Sequence, residues 1–314
     1  MYSVVEGLSF DLHAGKTLAL VGESGCGKSM TALSLMRILP HPPALPSEGE
    51  VIYRGQNLLQ ISEAQMREIR GMRIAMIFQD PTSALNPVYT IGDQLVEVAE
   101  LHLKVYGDEA LFRAREALDD VGIPRAEERL DDYPHQLSGG MRQRVMIAMA
   151  LMCQPDILIA DEPTTALDVT VQAQVLDLIR ELQRERGMAL LLITHDMGVV
   201  AEMADEVIVM YASQGVETAD VLSLFDHGAH PYTQGLFASR PTLETSRGDL
   251  HPIKGSVPSI RHYPEGCRFH TRCPFVMDIC RHGQVPEFPW KGPGHTTKCW
   301  LYDPEILKER VEHE

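Results

Sequence analysis

Residues 22–29 of this 314-residue chain read GESGCGKS, directly behind the apolar run TLALV. Those types at that spacing suit a phosphate. Gly22 and Gly27 let the backbone curl so that successive N–H groups face an anion. Lys28 would neutralise β- and γ-phosphates, and Ser29 would offer its hydroxyl to Mg2+. The plainer reading is a glycine-rich turn matched by chance, and the strand before and helix after it argue against that. DILIADEP (156–163) carries two carboxylates to the tip of an apolar strand. Asp161 would hold the metal through water, and Glu162 would orient or deprotonate the attacking water; the alternative is a core strand with a capped end. LLLITHD (190–196) ends at His195, expected on the sheet edge where ligands bind in parallel sheets. LSGGM (137–141) opens a helical run in which Ser138, Gly139 and Gly140 form a second anion-binding helix tip, or simply an N-cap. Two cradles with metal ligands for one nucleotide imply that the second serves the ATP of a partner chain.

The elements that must position these groups read as α/β. MTALSLMRIL predicts a helix that stops at Pro40, its N-terminal end facing the anion. DQLVEVAELHLKVY, EALFRAREALDDVG and the run after LSGG are helical in pattern, with no strand between them. A helix over 169–186 places Val171, Val175, Leu178 and Leu182 on one apolar stripe, read as core.

Composition narrows the partners. A formal net charge of −16 argues against nucleic acid or anionic lipid as the main partner, and 44% hydrophobic residues suffice for a core. No stretch reaches the ~18 apolar residues of a membrane span. No charged-then-apolar leader opens the chain, so a cytoplasmic location is expected. Of six cysteines, Cys26 and Cys153 read as buried thiols, while Cys267, Cys273, Cys280 and Cys299 crowd the last 48 residues. Nine prolines lie between His227 and Trp300, so that segment has little regular structure and a metal centre would supply cross-links. Paired C-x2-C knuckles and the ferredoxin run are both absent, and the spacing leaves [4Fe–4S] and Zn2+ open.

GESGCGKS, Gln79 in IFQDP, LSGGM, ILIADE, the ALD loop ending at Asp168 and His195 occur in an order and spacing that resemble the ATPase subunits of ABC transporters. The resemblance spans about residues 3–225. It implies a P-loop NTPase with a RecA-like core over about 1–86 and 152–225 and an inserted helical subdomain over about 87–151. A small, loop-rich, metal-binding C-terminal extension would follow over 226–314. It implies nucleotide contacts from Gly22, Ser24, Gly25, Cys26, Gly27, Lys28, Ser29 and Met30. Gln79 would sense γ-phosphate and Mg2+, and Asp168 and the Ser138–Gly140 tip would complete the nucleotide site. Glu162 and His195 would be catalytic, with Ser29, Gln79 and Asp161 on Mg2+. FQDPTSALNP, HPYTQGL (230–236), IKGSVPSI (253–260) and the cysteine tail resemble the oligopeptide, dipeptide and nickel importer branch. Some of its peptide-importer ATPases carry an iron–sulfur cluster on these cysteines, so a [4Fe–4S] cluster is implied, with Zn2+ or unliganded or disulfide-forming thiols the alternatives.

The implied function is ATP-driven peptide uptake, by a subunit peripheral to the cytoplasmic face of the membrane. Its partners would be a second ATPase subunit (a paralogue), two transmembrane permease subunits and an extracytoplasmic solute-binding protein, with no nucleic acid. The alternatives are import of nickel or another small solute, a soluble ABC ATPase outside transport, or a P-loop enzyme such as a kinase, in which the LSGG helix has no purpose. The sequence departs from the branch twice. Only six residues precede GLSF, where the family carries a strand and an adenine-stacking aromatic; either the start is truncated or misassigned or that platform is missing, for Tyr2 lies too close to fill it. In YASQGVE (211–217), Ser213 stands where a turn glycine is usual and Gly215 where an aliphatic residue is, which puts the hairpin geometry in question.

Overall fold

The computed structural model describes residues 2–40, 44, 47–80, 84–165, 167–239 and 253–313. Its strands, in chain order, are β1 Thr17–Val21, β2 Ile52–Tyr53, β3 Gln56–Asn57, β4 Ile74–Ile77, β5 Ile157–Asp161, β6 Ala189–Thr194, β7 Glu206–Tyr211, β8 Gln214–Asp220, β9 Phe288–Pro289 and β10 Thr296–Thr297. The chain divides into two compact units. One comprises Met1–Asp11, Leu18–Thr31 and Thr194–Glu314; the other comprises Leu12–Thr17 and Ala32–Ile193.

In the second unit β4, β5 and β6 pair in parallel, with Ile74 opposite Ile157 and Asp161 opposite Ile193. Apart from Asp161 and Thr194 at their ends, all three are apolar, and they are almost wholly buried, as expected of strands covered on both faces. Between β4 and β5 the described residues hold helices and turns and no strand. Helix Ile91–Val98 opens with a capping box at Thr90 and runs into a π-turn over Ala99–Leu103, closed by Lys104 in the left-handed region. Helices Asp108–Asp120 and Gly139–Leu151 follow. Helix Val169–Arg186 buries Val175, Leu176, Ile179 and Leu182. The expected stripe is therefore turned: Leu176 and Ile179 replace Val171 and Leu178, which are only half-buried.

The helix after the glycine-rich loop, Lys28–Leu35, ends sooner than Pro40. Arg37 takes a left-handed conformation (φ 52°), and the N–H groups of Arg37 and Ile38 bond back to Ser34 and Leu33. That Schellman pair satisfies the last carbonyls before the proline is reached.

In the first unit β1 pairs with β7 in parallel, and β7, β8, β10 and β9 continue antiparallel. Its core gathers Val21, Val209, Tyr211, Leu224, Tyr232 and Phe269, with Cys267 and Cys273 packed against it. The β7–β8 turn holds Ala212 (φ 45°) and Ser213 (φ 72°), a two-residue turn with positive φ at both positions and no glycine. Such strain persists only where surroundings over-determine it. Here Ser213 donates its N–H to the Cys26 carbonyl (2.8 Å), accepts from Glu6 N–H (2.8 Å), and pairs its hydroxyl with Tyr263 (2.7 Å). Gly215 instead lies in β8 beside a register shift, where a Cβ would stand 3.1 Å from Leu8 and 3.2 Å from Ile208. Among the described residues no helix is long and apolar enough to cross a membrane.

Candidate functional site

The glycine-rich loop lies in the first unit. Gly22, Gly25 and Gly27 all have positive φ (153°, 84° and 108°), and two of them have no room for a side chain. A Cβ on Gly22 would stand 2.2 Å from the Met210 carbonyl oxygen, and one on Gly27 would stand 2.7 Å from that of Val4. Lys28 is buried and donates its Nζ to the carbonyls of Gly22 (2.7 Å) and Glu23 (3.2 Å), so the loop closes on its own ammonium. Ser24 and Gly25 are exposed, Ser29 and Met30 half-buried. The Cys26 side chain is fully buried, and burial raises its thiol pKa, so what this residue can offer a ligand is its backbone. His195, in the same unit, is exposed one residue after β6. Asp196 beside it caps the next helix by accepting from Gly198 N–H (2.7 Å).

The second unit holds the carboxylates. Asp161 ends β5 and is 4% exposed. Glu162 follows in the left-handed region (φ 47°), a conformation a non-glycine residue keeps only under constraint. Its carboxylate accepts from Gln79 Nε2 (3.0 Å) and Thr165 Oγ1 (2.8 Å), and its N–H donates to Ile193 O (2.9 Å). Sequence reading named Gln79 and Glu162 separately; the structure brings them into contact.

Ser138 is the N-cap of helix Gly139–Leu151 and accepts from Met141 N–H (3.3 Å). Ser138 and Gly139 are exposed. A Cβ on Gly139 would meet nothing within 4 Å, whereas one on Gly140 would meet Val171 Cγ1 at 2.8 Å. Asp168 is likewise a cap, accepting from Val171 N–H (3.0 Å) at the start of helix Val169–Arg186.

The four tail cysteines line one small cavity in the first unit, together with His230, Phe269, Trp300 and Leu301. None is in a disulfide. Gly266 (φ 69°) lets the Cys267 segment press onto its neighbour: Cys267 N–H bonds the Cys280 carbonyl (2.9 Å), and a Cβ on Gly266 would stand 2.4 Å from that oxygen. Burial pushes the Cys267 thiol up to about 11 and the Cys299 thiol up to about 12; charge on the neighbouring cysteines adds to both. Burial pushes His230 down to about 4, and its Nδ1 accepts from Tyr232 N–H, so the proton sits on Nε2. That Nε2 and the Trp300 Nε1 are buried donors without an acceptor among the described residues. Such orphans are rare in folded proteins, and both residues border the cysteine cavity.

The cavity is about 10 Å3, room for one water, so the thiols close over the space a cluster needs. Among the described residues no three His, Cys, Asp or Glu side chains are grouped so as to hold a metal ion. That absence bears on both Zn2+, whose sulfurs would all lie about 2.3 Å from one centre, and a [4Fe–4S] cluster. A [4Fe–4S] cluster takes each cysteine on a different iron, and its sulfides would accept from the two orphaned donors.

Residues 5–165 match the family described as ABC transporter, and residues 216–280 the one described as oligopeptide/dipeptide transporter, C-terminal region. The dipeptide transport ATP-binding protein DppD of Bacillus subtilis is 49% identical over 309 residues, 98% of this chain and 90% of the relative. The oligopeptide transport ATP-binding protein AppD of the same organism is 50% identical over 301 residues, 96% of this chain and 92% of the relative. An ATP-binding cassette solved as a dimer in a post-hydrolysis state, bound to ADP and Pi, is similar with a TM-score of 0.60 at 25% identity, over 69% of this chain and 90% of that one. The chain belongs to the ABC transporter ATP-binding subunits, in the branch marked by the oligopeptide/dipeptide transporter C-terminal region.

Proposed function

We propose that this chain is the ATPase subunit of an ABC importer of di- and oligopeptides, peripheral to the cytoplasmic face of the membrane. The observation that carries the cargo is the match of residues 216–280 to the oligopeptide/dipeptide transporter C-terminal region, beside relatives named for dipeptide and oligopeptide transport. The partners are a second ATPase subunit, a paralogue, with two permease subunits and a solute-binding protein. The nucleotide-binding domain covers 1–225, its helical part about 87–151, and the extension 226–314.

The roles follow from chemistry. Backbone N–H groups of residues 22 and 24–30 cradle the phosphates and Lys28 neutralises them. Ser29, Gln79 and Asp161 would hold Mg2+, which would neutralise phosphate charge. Glu162 takes a proton from water as the water oxygen bonds the γ-phosphorus and the bond to the ADP oxygen breaks. His195 orients the γ-phosphate, and Asp168 steadies the loop before its helix. Ser138, Gly139 and Gly140, an exposed helix tip, cap the ATP of the partner subunit. Glu162→Gln lowers turnover at saturating ATP by at least a hundredfold and accumulates an ATP-bound dimer on size exclusion. Normal turnover removes Glu162 from the mechanism. A strain lacking the gene loses uptake of radiolabelled dipeptide, and a Lys28→Ala copy does not restore it. Intact peptide uptake with lost nickel uptake overturns the cargo.

We also propose that Cys267, Cys273, Cys280 and Cys299 carry a [4Fe–4S] cluster. The four thiols around one cavity and the unpaired donors of His230 and Trp300 support it. When bound, the cluster cross-links a segment poor in regular structure. Protein purified without oxygen then contains iron and sulfide in equal amounts, near four of each per chain on the cubane stoichiometry. Stoichiometric zinc with no iron refutes it.

A further inference from the structure

Three stretches that the phosphate chemistry leaves unused converge on one residue of the glycine-rich loop, two directly and the third through Arg272. Glu23 donates its N–H to the hydroxyl of Tyr232, from HPYTQGL, at 2.8 Å. Its carboxylate accepts both arms of the Arg272 guanidinium, at 2.6 and 3.0 Å. Arg272 lies between Cys267 and Cys273, and its Nε and Nη2 also donate to the carbonyls of Lys254 (2.9 Å), Ile253 and Gly255 (3.3 Å each), from IKGSVPSI. All of these residues belong to one compact unit.

We propose that Tyr232 and Arg272 are positioning residues for nucleotide binding, holding Glu23 and with it the Gly22–Ser29 loop in its anion-binding shape. The inference rests on the ATP-binding reading above. Neither group has slack. The Arg272 side chain is 4% exposed and stacks over Tyr211 and Phe269, while Tyr232 is fully buried against the same two rings. A bidentate fork fixes orientation as well as distance. Arg272 has a second task. Glu23 places a carboxylate inside a loop built for an anion, and the guanidinium cancels that charge. Without Arg272 the carboxylate repels the phosphates, and repels ATP more than ADP.

The Tyr232 hydroxyl acts differently. It consumes the Glu23 N–H, which is thereby withdrawn from the phosphates, and pins the first turn of the loop from behind. Its loss loosens the loop for ATP and ADP alike. Tyr232→Phe keeps the ring and its packing, so the fold survives.

The test is calorimetric titration of ATP and of ADP, with Mg2+, into the full chain at low and high salt. Wild type binds both. Arg272→Gln weakens ATP about tenfold, within the usual range of coupling between sites, and ADP less; high salt shrinks that gap as it screens the half-buried carboxylate. Adding Glu23→Gln to Arg272→Gln removes the repulsion and recovers at least threefold in ATP affinity. Tyr232→Phe weakens both nucleotides about threefold, the scale of one neutral hydrogen bond. In both variants kcat at saturating ATP stays within about twofold while KM rises, a split that a general folding defect would not give. If wild type binds ATP and both variants bind it within twofold of wild type, the positioning role is wrong. If the double variant is no better than Arg272→Gln, the charge role is wrong. A wild-type chain that binds no ATP at all instead overturns the reading of the loop itself. Should Arg272→Gln fail to fold, Tyr232→Phe alone decides.

Discussion

The glycine-rich loop before Lys28 and the Ser138–Gly140 tip are both helix starts with glycines, and both suit an anion. They are built in opposite ways. The first is crowded at two of its glycines and open only around Ser24 and Gly25: backbone oxygens of Met210 and Val4 occupy the space where side chains on Gly22 and Gly27 would go, and Tyr232 and Arg272 hold Glu23. The second has one neighbour, Val171 against Gly140, and is otherwise exposed. A cradle braced from behind by its own chain holds its shape before its ligand arrives. A bare tip has the chemistry of an anion site without the walls, which is what a surface completed by another chain requires.

Alanine at each glycine turns that contrast into a graded series in stability. Gly22→Ala is the most damaging, because a methyl 2.2 Å from the Met210 carbonyl oxygen meets backbone and cannot be relieved by a rotamer. We expect a loss above about 3 kcal/mol in denaturant unfolding, the scale of severe overpacking, together with lost ATP binding. Gly140→Ala follows. The obstacle there is a Val171 methyl at 2.8 Å, on a stiff branched side chain. Helix propensity returns up to about 1 kcal/mol, leaving a net loss of about 1 kcal/mol. Equal losses at the two positions would end the contrast.

The parts of the site that local chemistry dictates were legible in the sequence. A glycine run before a helix, an apolar strand ending in Asp161 and Glu162, and a serine ahead of two glycines each need only their neighbours to be recognised. The grip on Glu23 was not legible, since Tyr232 and Arg272 lie 209 and 249 residues away along the chain. The only signal was indirect: HPYTQGL and IKGSVPSI resembled the branch yet had no task in phosphate chemistry. The positive φ of Glu162 was hidden too, because it follows from a hydrogen bond to Ile193 on a neighbouring strand. Helix Val169–Arg186 shows a subtler limit. Its spacing marked an apolar face, but tertiary packing decides which edge of that face is buried, and the buried edge carries Leu176 and Ile179.

Gly139→Ala has the smallest expected effect on stability and separates folding from function. The position is open, so the methyl meets nothing, and it is the first residue of helix Gly139–Leu151. Replacing glycine there removes backbone freedom from the unfolded chain, and the fold gains about 0.5 kcal/mol. Binding of ATP to the isolated chain is unchanged, because the Gly22–Ser29 loop does not depend on this tip. Turnover in the assembled complex nevertheless falls, since the methyl stands where the partner's nucleotide must approach. A variant more stable than wild type, equal in ATP affinity and slower in hydrolysis fits only a tip that serves another chain. Were turnover also unchanged, Gly139 would be an ordinary helix start, and the openness of this tip would carry no function.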